Sequence, residues 1–238
     1  LLLKFKLIRN ILFHFIFLSA LIILPNLGLW QLDRLEWKNK LLNNISSRQV
    51  ADNITFPYNE SLENFEYRNT SVEGKFLDNT QTFFFRPNLS GQSGYNVISA
   101  FKTIDDSVVY VDIGWIPFEQ KENIDLLDID YNKNFSLKGI LISSKERNMF
   151  SPENDYIKNI WYTLSSTEMN KFYKLNGSFF ILKIIDQNYF EQTLIEFNPT
   201  QIPNNHLQYA GTWFLLFIVV GILYFYQVYQ IIRIKWNT

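Results

Sequence analysis

Charge is missing from two long stretches of this chain and crowded between them. That pattern constrains the fold more than any motif does. Residues 11–32 and 210–232 contain no Asp, Glu, Lys or Arg. Each reaches the roughly 20 residues that carry an α-helix across about 30 Å of hydrocarbon. Every acidic residue lies between Asp33 and Glu196. The beginning carries Lys4, Lys6 and Arg9 and the end carries Arg233 and Lys235, which leaves 17 basic against 23 acidic side chains in between. The formal net charge of −1 is therefore an average over two basic ends and an acidic middle.

The sequence accordingly predicts a membrane protein: two transmembrane helices flanking a β-rich α+β extracytoplasmic domain. Its expected parts are an inner tail over 1–10, a first transmembrane helix over 11–32, an outer domain over 33–205, a second transmembrane helix over 206–230 and an inner tail over 231–238. The first stretch is too long for a signal peptide's apolar region and shows no small-x-small cleavage site before Trp30. Trp30 and Trp213 near one end of the spans, and Tyr224, Tyr226 and Tyr229 near the other, suit the two membrane interfaces. Pro25, late in the first span, is tolerable where neighbours satisfy the freed carbonyl. Basic ends place both termini inside by the positive-inside rule. The domain then faces out from a bacterial inner membrane, or from its mitochondrial equivalent. The first residue is Leu, so the start is expected to be missing or to use an unusual codon.

Between the spans the reading is mostly strands. A polar helical stretch over 33–48 puts Leu35, Leu41, Leu42 and Ile45 near helical spacing. Alternating or β-branched runs predict strands over 71–76, 81–86, 95–102, 108–116, 135–143 and 178–185, in an antiparallel arrangement, with Asp105-Asp106 as a hairpin turn. Ser165-Ser166-Thr167-Glu168 is a capping-box pattern that opens a helix over 169–175, closed by Asn176-Gly177.

Catalytic patterns are scarce. With no Cys there are no disulfides, thiolate metal sites or cysteine nucleophile, and the near-neutral balance does not suit nucleic acid. No GxSxG, P-loop, HExxH or GxGxxG occurs. Asp105/Asp106 and Asp128/Asp130 read as turns or solvated faces. A hydrolase built on Ser, Lys or a carboxylate has no assembled site, so the chain is expected not to be an enzyme. Neither of the two histidines lies in the soluble body: His14 sits inside the inner end of the first span and His206 at the outer entrance of the second. About 25 Å of helix separates them, too far to share a metal. His14 reads as an interfacial, structural side chain. His206 supports two readings. It is an interfacial His among aromatics, or an axial ligand of haem iron. In the second case Tyr209 and Trp213 would cover the macrocycle, Gln208 or Asn205 would hold the other ring nitrogen, and Ala210 and Gly211 would leave room for a flat ligand.

Five blocks in order then match a known family. They are Gly28-Leu29-Trp30-Gln31-Leu32-Asp33-Arg34-Leu35-Glu36-Trp37-Lys38; Gly94-Tyr95-Asn96-Val97-Ile98-Ser99-Ala100-Phe101; Val111-Asp112-Ile113-Gly114-Trp115-Ile116-Pro117; Phe150-Ser151-Pro152-Glu153-Asn154 with Ile160-Trp161-Tyr162; and Asn204-Asn205-His206-Leu207-Gln208-Tyr209-Ala210-Gly211-Thr212-Trp213. The chain thereby resembles the Surf1/Shy1 family of cytochrome c oxidase assembly factors, with Gly28, Trp30, Gln31, Arg34 and Gly114 among its motif positions. The resemblance implies an assembly factor that binds haem a transiently and helps its insertion into oxidase subunit I, with the iron on His206. It also implies subunit I, and haem a synthase, as partners. The alternative is a scaffold that binds no haem and stabilises subunit I. Val111-Asp112-Ile113-Gly114 departs from the more usual V-N-R-G, so an Arg common in relatives is absent.

Overall fold

A computed structural model describes residues 2–56, 65–126, 129–186, 190, 193–195 and 204–236. The chain divides into two compact units, one of residues 1–43 with 202–238 and one of residues 44–201.

The first unit is a pair of helices: α1 (Leu2–Val50), whose end from residue 44 belongs to the second unit, and α3 (His206–Trp236). The polar stretch expected after the first span is thus the continuation of the same helix, because nothing between Leu32 and Val50 breaks helical geometry: there is no Pro or Gly there. Both helices are long and apolar enough to cross a membrane. Their apolar side chains face outward, with Phe15 at 67%, Ile22 at 66%, Ile222 at 63% and Phe225 at 69% exposure. Such a belt is unstable against water and calls for an apolar surround. The helices run antiparallel and are tied at both ends. His14 Nδ1 lies 3.1 Å from the Tyr224 hydroxyl, and His206 Nδ1 lies 2.8 Å from Gln31 Oε1. Close to the Gln31 contact on α1, Gly28 allows close approach, since a Cβ there would sit 2.6 Å from Phe214 Cε1. Pro25 removes one N–H from α1, and on the same turn Asn26 Nδ2 donates to the Ile22 carbonyl at 2.7 Å.

The second unit is one sheet of seven strands: β1 (Asn69–Phe76), β2 (Thr82–Phe85), β3 (Gly94–Thr103), β4 (Val108–Pro117), β5 (Phe135–Ser143), β6 (Ile160–Trp161) and β7 (Gly177–Ile184). Their order is β1-β5-β7-β4-β3-β2-β6. β1 also pairs with the C-terminal part of β3, Phe76 opposite Phe101, while β2 takes the N-terminal part of the same side. Five strands therefore close into a ring. The purely antiparallel expectation is corrected: β4–β7 and β2–β6 are parallel. The helix α2 (Ser166–Tyr173) lies in the connection from β6 to β7.

Side chains alternate across the strands as their period of two demands. Val109, Val111, Ile113, Phe180, Leu182 and Ile184 point into one core, and Tyr110 and Ile181 into a second beside Trp161 and Met169. The Asp105-Asp106 hairpin forms as expected, with Asp106 at φ 64° paired with Lys102 at 2.6 Å. Asp130 accepts from Asn132 N–H at 2.9 Å, a turn as anticipated, and Asp128 lies outside the described residues. Ser165 caps α2 by accepting from Glu168 N–H at 3.1 Å. The helix ends at Lys174 in the left-handed region, and Gly177 already begins β7; the expected Asn176-Gly177 stop is therefore displaced.

Beside the irregularity between β3 and β4, Gly114 takes φ +132°, and a Cβ there would meet Thr193 Oγ1 at 2.6 Å. This position requires glycine on both counts. Its N–H donates to Asp112 Oδ1 at 3.1 Å. The Asp112 carboxylate also accepts from Asn96 Nδ2 at 2.9 and 2.8 Å and from Lys183 Nζ at 3.0 Å, and all three side chains are buried. The cation beside this strand is thus supplied across the sheet by Lys183.

Candidate functional site

His206 is the first residue of α3. The helix begins there because Asn205, a favoured capping residue type, gives its carbonyl to the first helical bond, accepting from Tyr209 N–H at 3.1 Å. Two neighbours on α1 hold this end in place. Asn204 Nδ2 donates to Asn39 Oδ1 at 2.9 Å, and Gln31, itself 9% exposed, presents Oε1 to the imidazole.

That second contact decides the chemistry of the ring. An amide oxygen only accepts, so Nδ1 must carry the proton and donate it. A neutral imidazole held in this way has its lone pair on Nε2. A metal-binding histidine is normally prepared in this way, by an acceptor that fixes tautomer and orientation. The partner is Gln31, instead of the Gln208 or Asn205 anticipated from nearness along the chain. Gln208 is exposed, and its carbonyl accepts from Thr212 Oγ1 at 3.0 Å.

Tyr209 is 55% exposed and Trp213 half-buried, both within two turns of His206 on α3. Ala210 is 1% exposed: it packs inside the helix pair and offers no ligand surface. Gly211 stays open, with nothing within 4 Å of a Cβ built there. On α1, Trp30 is 52% and Trp37 53% exposed, and the Arg34 guanidinium lies over the Trp37 ring at 4.8 Å. Gly114 belongs to the other unit and is explained by its backbone there. Sequence reading missed Asn39 and the pairing of Gln31. The available signal was helical: Asn39 stands eight residues after Gln31, some 80° round α1.

His14 has a polar partner too. Its ring meets Tyr224 edge-on at 5.7 Å, and Phe13 and Phe17 stack on Tyr224 at 6.3 and 5.8 Å. An apolar cleft along the helices is lined by Leu21, Phe217, Ile218, Gly221, Ile222 and Phe225. It offers no group for coordination or proton transfer. Among the described residues no cluster of three or more His, Asp or Glu side chains gathers to hold a bare metal ion. The His206 end is therefore the candidate: one prepared imidazole, flanked by aromatic side chains.

Similarity to known proteins fits this arrangement. A family model described as the SURF1 family matches residues 18–218. A SURF1-like protein of Rickettsia prowazekii is 32% identical over 217 residues, covering 89% of this chain and 87% of that one. A SURF1-like protein of Dictyostelium discoideum is 25% identical over 84% of this chain and 90% of its own length. Surfeit locus protein 1 of Homo sapiens is 26% identical over 84% of this chain and 72% of its own. The match takes in the Gln31 and His206 segments alike, and on it the chain belongs to the SURF1 family.

Proposed function

We propose that this protein is a membrane-anchored assembly factor for cytochrome c oxidase that carries haem a as cargo on His206 and helps its insertion into oxidase subunit I. The observation that carries the proposal is the 2.8 Å contact from Gln31 Oε1 to His206 Nδ1, which leaves Nε2 as a ready iron ligand. The residues fit the group: an imidazole donor, aromatic rings beside it, and helices whose outward surface is already apolar. A bound haem contributes an iron centre that accepts one imidazole nitrogen. The chain contributes tautomer, orientation and an apolar wall, so it acts as a carrier and not a catalyst. Subunit I would receive the cargo and haem a synthase would supply it.

Both helices are proposed to span the membrane, with the termini inside and the β-rich unit outside, in a bacterial inner membrane or its mitochondrial counterpart. The exposed apolar belts and the basic ends support this. Relatives from Rickettsia and from eukaryotes accord with either setting.

The test is the visible spectrum of the detergent-purified full chain from a host that makes haem a. The parent should carry a haem a band that His206→Ala loses. Equal haem content in the two sinks the ligand assignment. If haem is never stoichiometric and subunit I co-purifies equally with and without His206, the protein is a scaffold.

A further inference from the structure

We infer that Arg34 is the anion-binding residue of this same site, pairing with the propionate edge of the porphyrin; the inference rests on the haem reading above. The reasoning starts from helix geometry. Gln31 and His206 touch, so they mark one level and one line of contact on the antiparallel pair. At about 100° per residue, Arg34 lies some 60° round α1 from Gln31, with Trp30 and Trp37 farther in the same sense. On α3, Tyr209 lies some 60° and Trp213 some 20° round from His206, again in that sense. For antiparallel helices, equal senses of rotation open onto the same side of the pair. Trp30, Arg34, Trp37, Tyr209 and Trp213 therefore share one face, and none of them is buried.

Their levels differ in a telling order. With a rise of about 1.5 Å per residue, Arg34 stands about 4.5 Å outward of Gln31, while Tyr209 and Trp213 lie about 4.5 and 10.5 Å inward of His206. A cation stacked on Trp37 is on the outer side, the imidazole is in the middle, and Tyr209 and Trp213 are on the inner side. The complementary ligand is flat and apolar, with an acidic edge turned outward, as in a porphyrin with its propionates. Arg34 is also uncommitted: among the described residues no carboxylate lies within ion-pair distance of it, whereas Lys40 is engaged by Glu36 at 2.5 Å. Its stacking on Trp37 at 4.8 Å orients the planar fork, which can then bind a carboxylate bidentately.

The experiment is a titration of the full chain in detergent with haem a and with haem a dimethyl ester, whose propionates carry no charge, followed at the Soret band. Arg34→Gln should weaken haem a binding by about 5–10-fold and leave binding of the ester unchanged. Arg34→Lys should fall between the two. Lys40→Gln, on the far side of α1, should stay within about twofold of the parent. Added salt should reduce the parent's preference for the free acid over the ester, and should leave the Arg34→Gln variant unaffected. Equal affinity of parent and Arg34→Gln for haem a overturns the assignment and leaves Arg34 as a partner of lipid phosphate. An equal loss with Lys40→Gln also overturns it, because general charge would then explain the effect. Failure of the parent to bind either compound refutes the haem reading itself, an outcome distinct from both.

Discussion

Replacing Lys183 with Met tests whether the polar group beneath Gly114 is held by charge. The ammonium lies 3.0 Å from Asp112 Oδ2, and the two side chains are 3% and 7% exposed. At that distance an effective dielectric of about 20 gives an attraction of roughly 5–6 kcal/mol. Drying two ions offsets much of it, so the pair adds little net stability. Removing one partner costs about 3–5 kcal/mol, because the other charge stays buried and uncompensated. Here the carboxylate would keep both bonds from Asn96 and one from Gly114 N–H. Lys183→Met should therefore sit at the lower end, about 3 kcal/mol. Asp112→Asn strands an ammonium that has no other bonded partner among the described residues, and should reach about 5 kcal/mol. The double variant removes both charges and should recover at least about 2 kcal/mol of the summed loss. In a domain of this size each kcal/mol moves the melting midpoint by about 2–4 °C. Near-UV circular dichroism of the full chain should thus show Lys183→Met melting about 6–12 °C below the parent. Two single variants that each lose under about 1 kcal/mol, or a double variant that loses the full sum, would refute this account of a buried ion pair.

Other outcomes follow from the same geometry. Gln31→Leu removes the acceptor on His206 and should weaken haem a binding about 10–100-fold, while Gln31→Glu should retain it; a Soret titration that shows no loss for Leu contradicts the fixed tautomer. Gly28→Leu should separate the helix pair, since even a Cβ would come within 2.6 Å of Phe214, and Phe214→Ala should rescue it; cross-linking between the helices through introduced cysteines reports the separation. Burial holds the hydroxyls of Tyr110 and Tyr173 above the ordinary tyrosine range. The folded form then keeps protons that the unfolded chain releases, so stability should be constant below about pH 10 and fall above it. Denaturant midpoints between pH 8 and 11 check this, and a rise above pH 10 would contradict the sign.

The parts readable in the sequence were those governed by local rules. β-branched runs marked β3 and β4, the Asp105-Asp106 turn joined them, and Ser165 with Glu168 announced α2. The two charge-free stretches announced the apolar helices. Misreadings occurred where the deciding contact lay far along the chain. The two-residue strand β6 has too little pattern to show periodicity, and its parallel partner is fixed by the β2 register. The end of α2 turned on Lys174 adopting a left-handed conformation, which no residue preference advertises. His206 stood out because only two histidines exist. Its partner did not, since Gln31 lies 175 positions away and only the packing of two helices brings them together.

The closure of β1 onto β3 bears on how the protein survives crowding. Sheets recruit other sheets through unpaired strand borders, the usual start of aggregation. The β1–β3 pairing over Gly74–Phe76 shortens that border, and the strand that ends the sheet beyond β2, β6, is only two residues long. So short a border is a poor template for a foreign strand. Many copies of such a domain could stand side by side at high surface density with little risk of fusing into a common sheet.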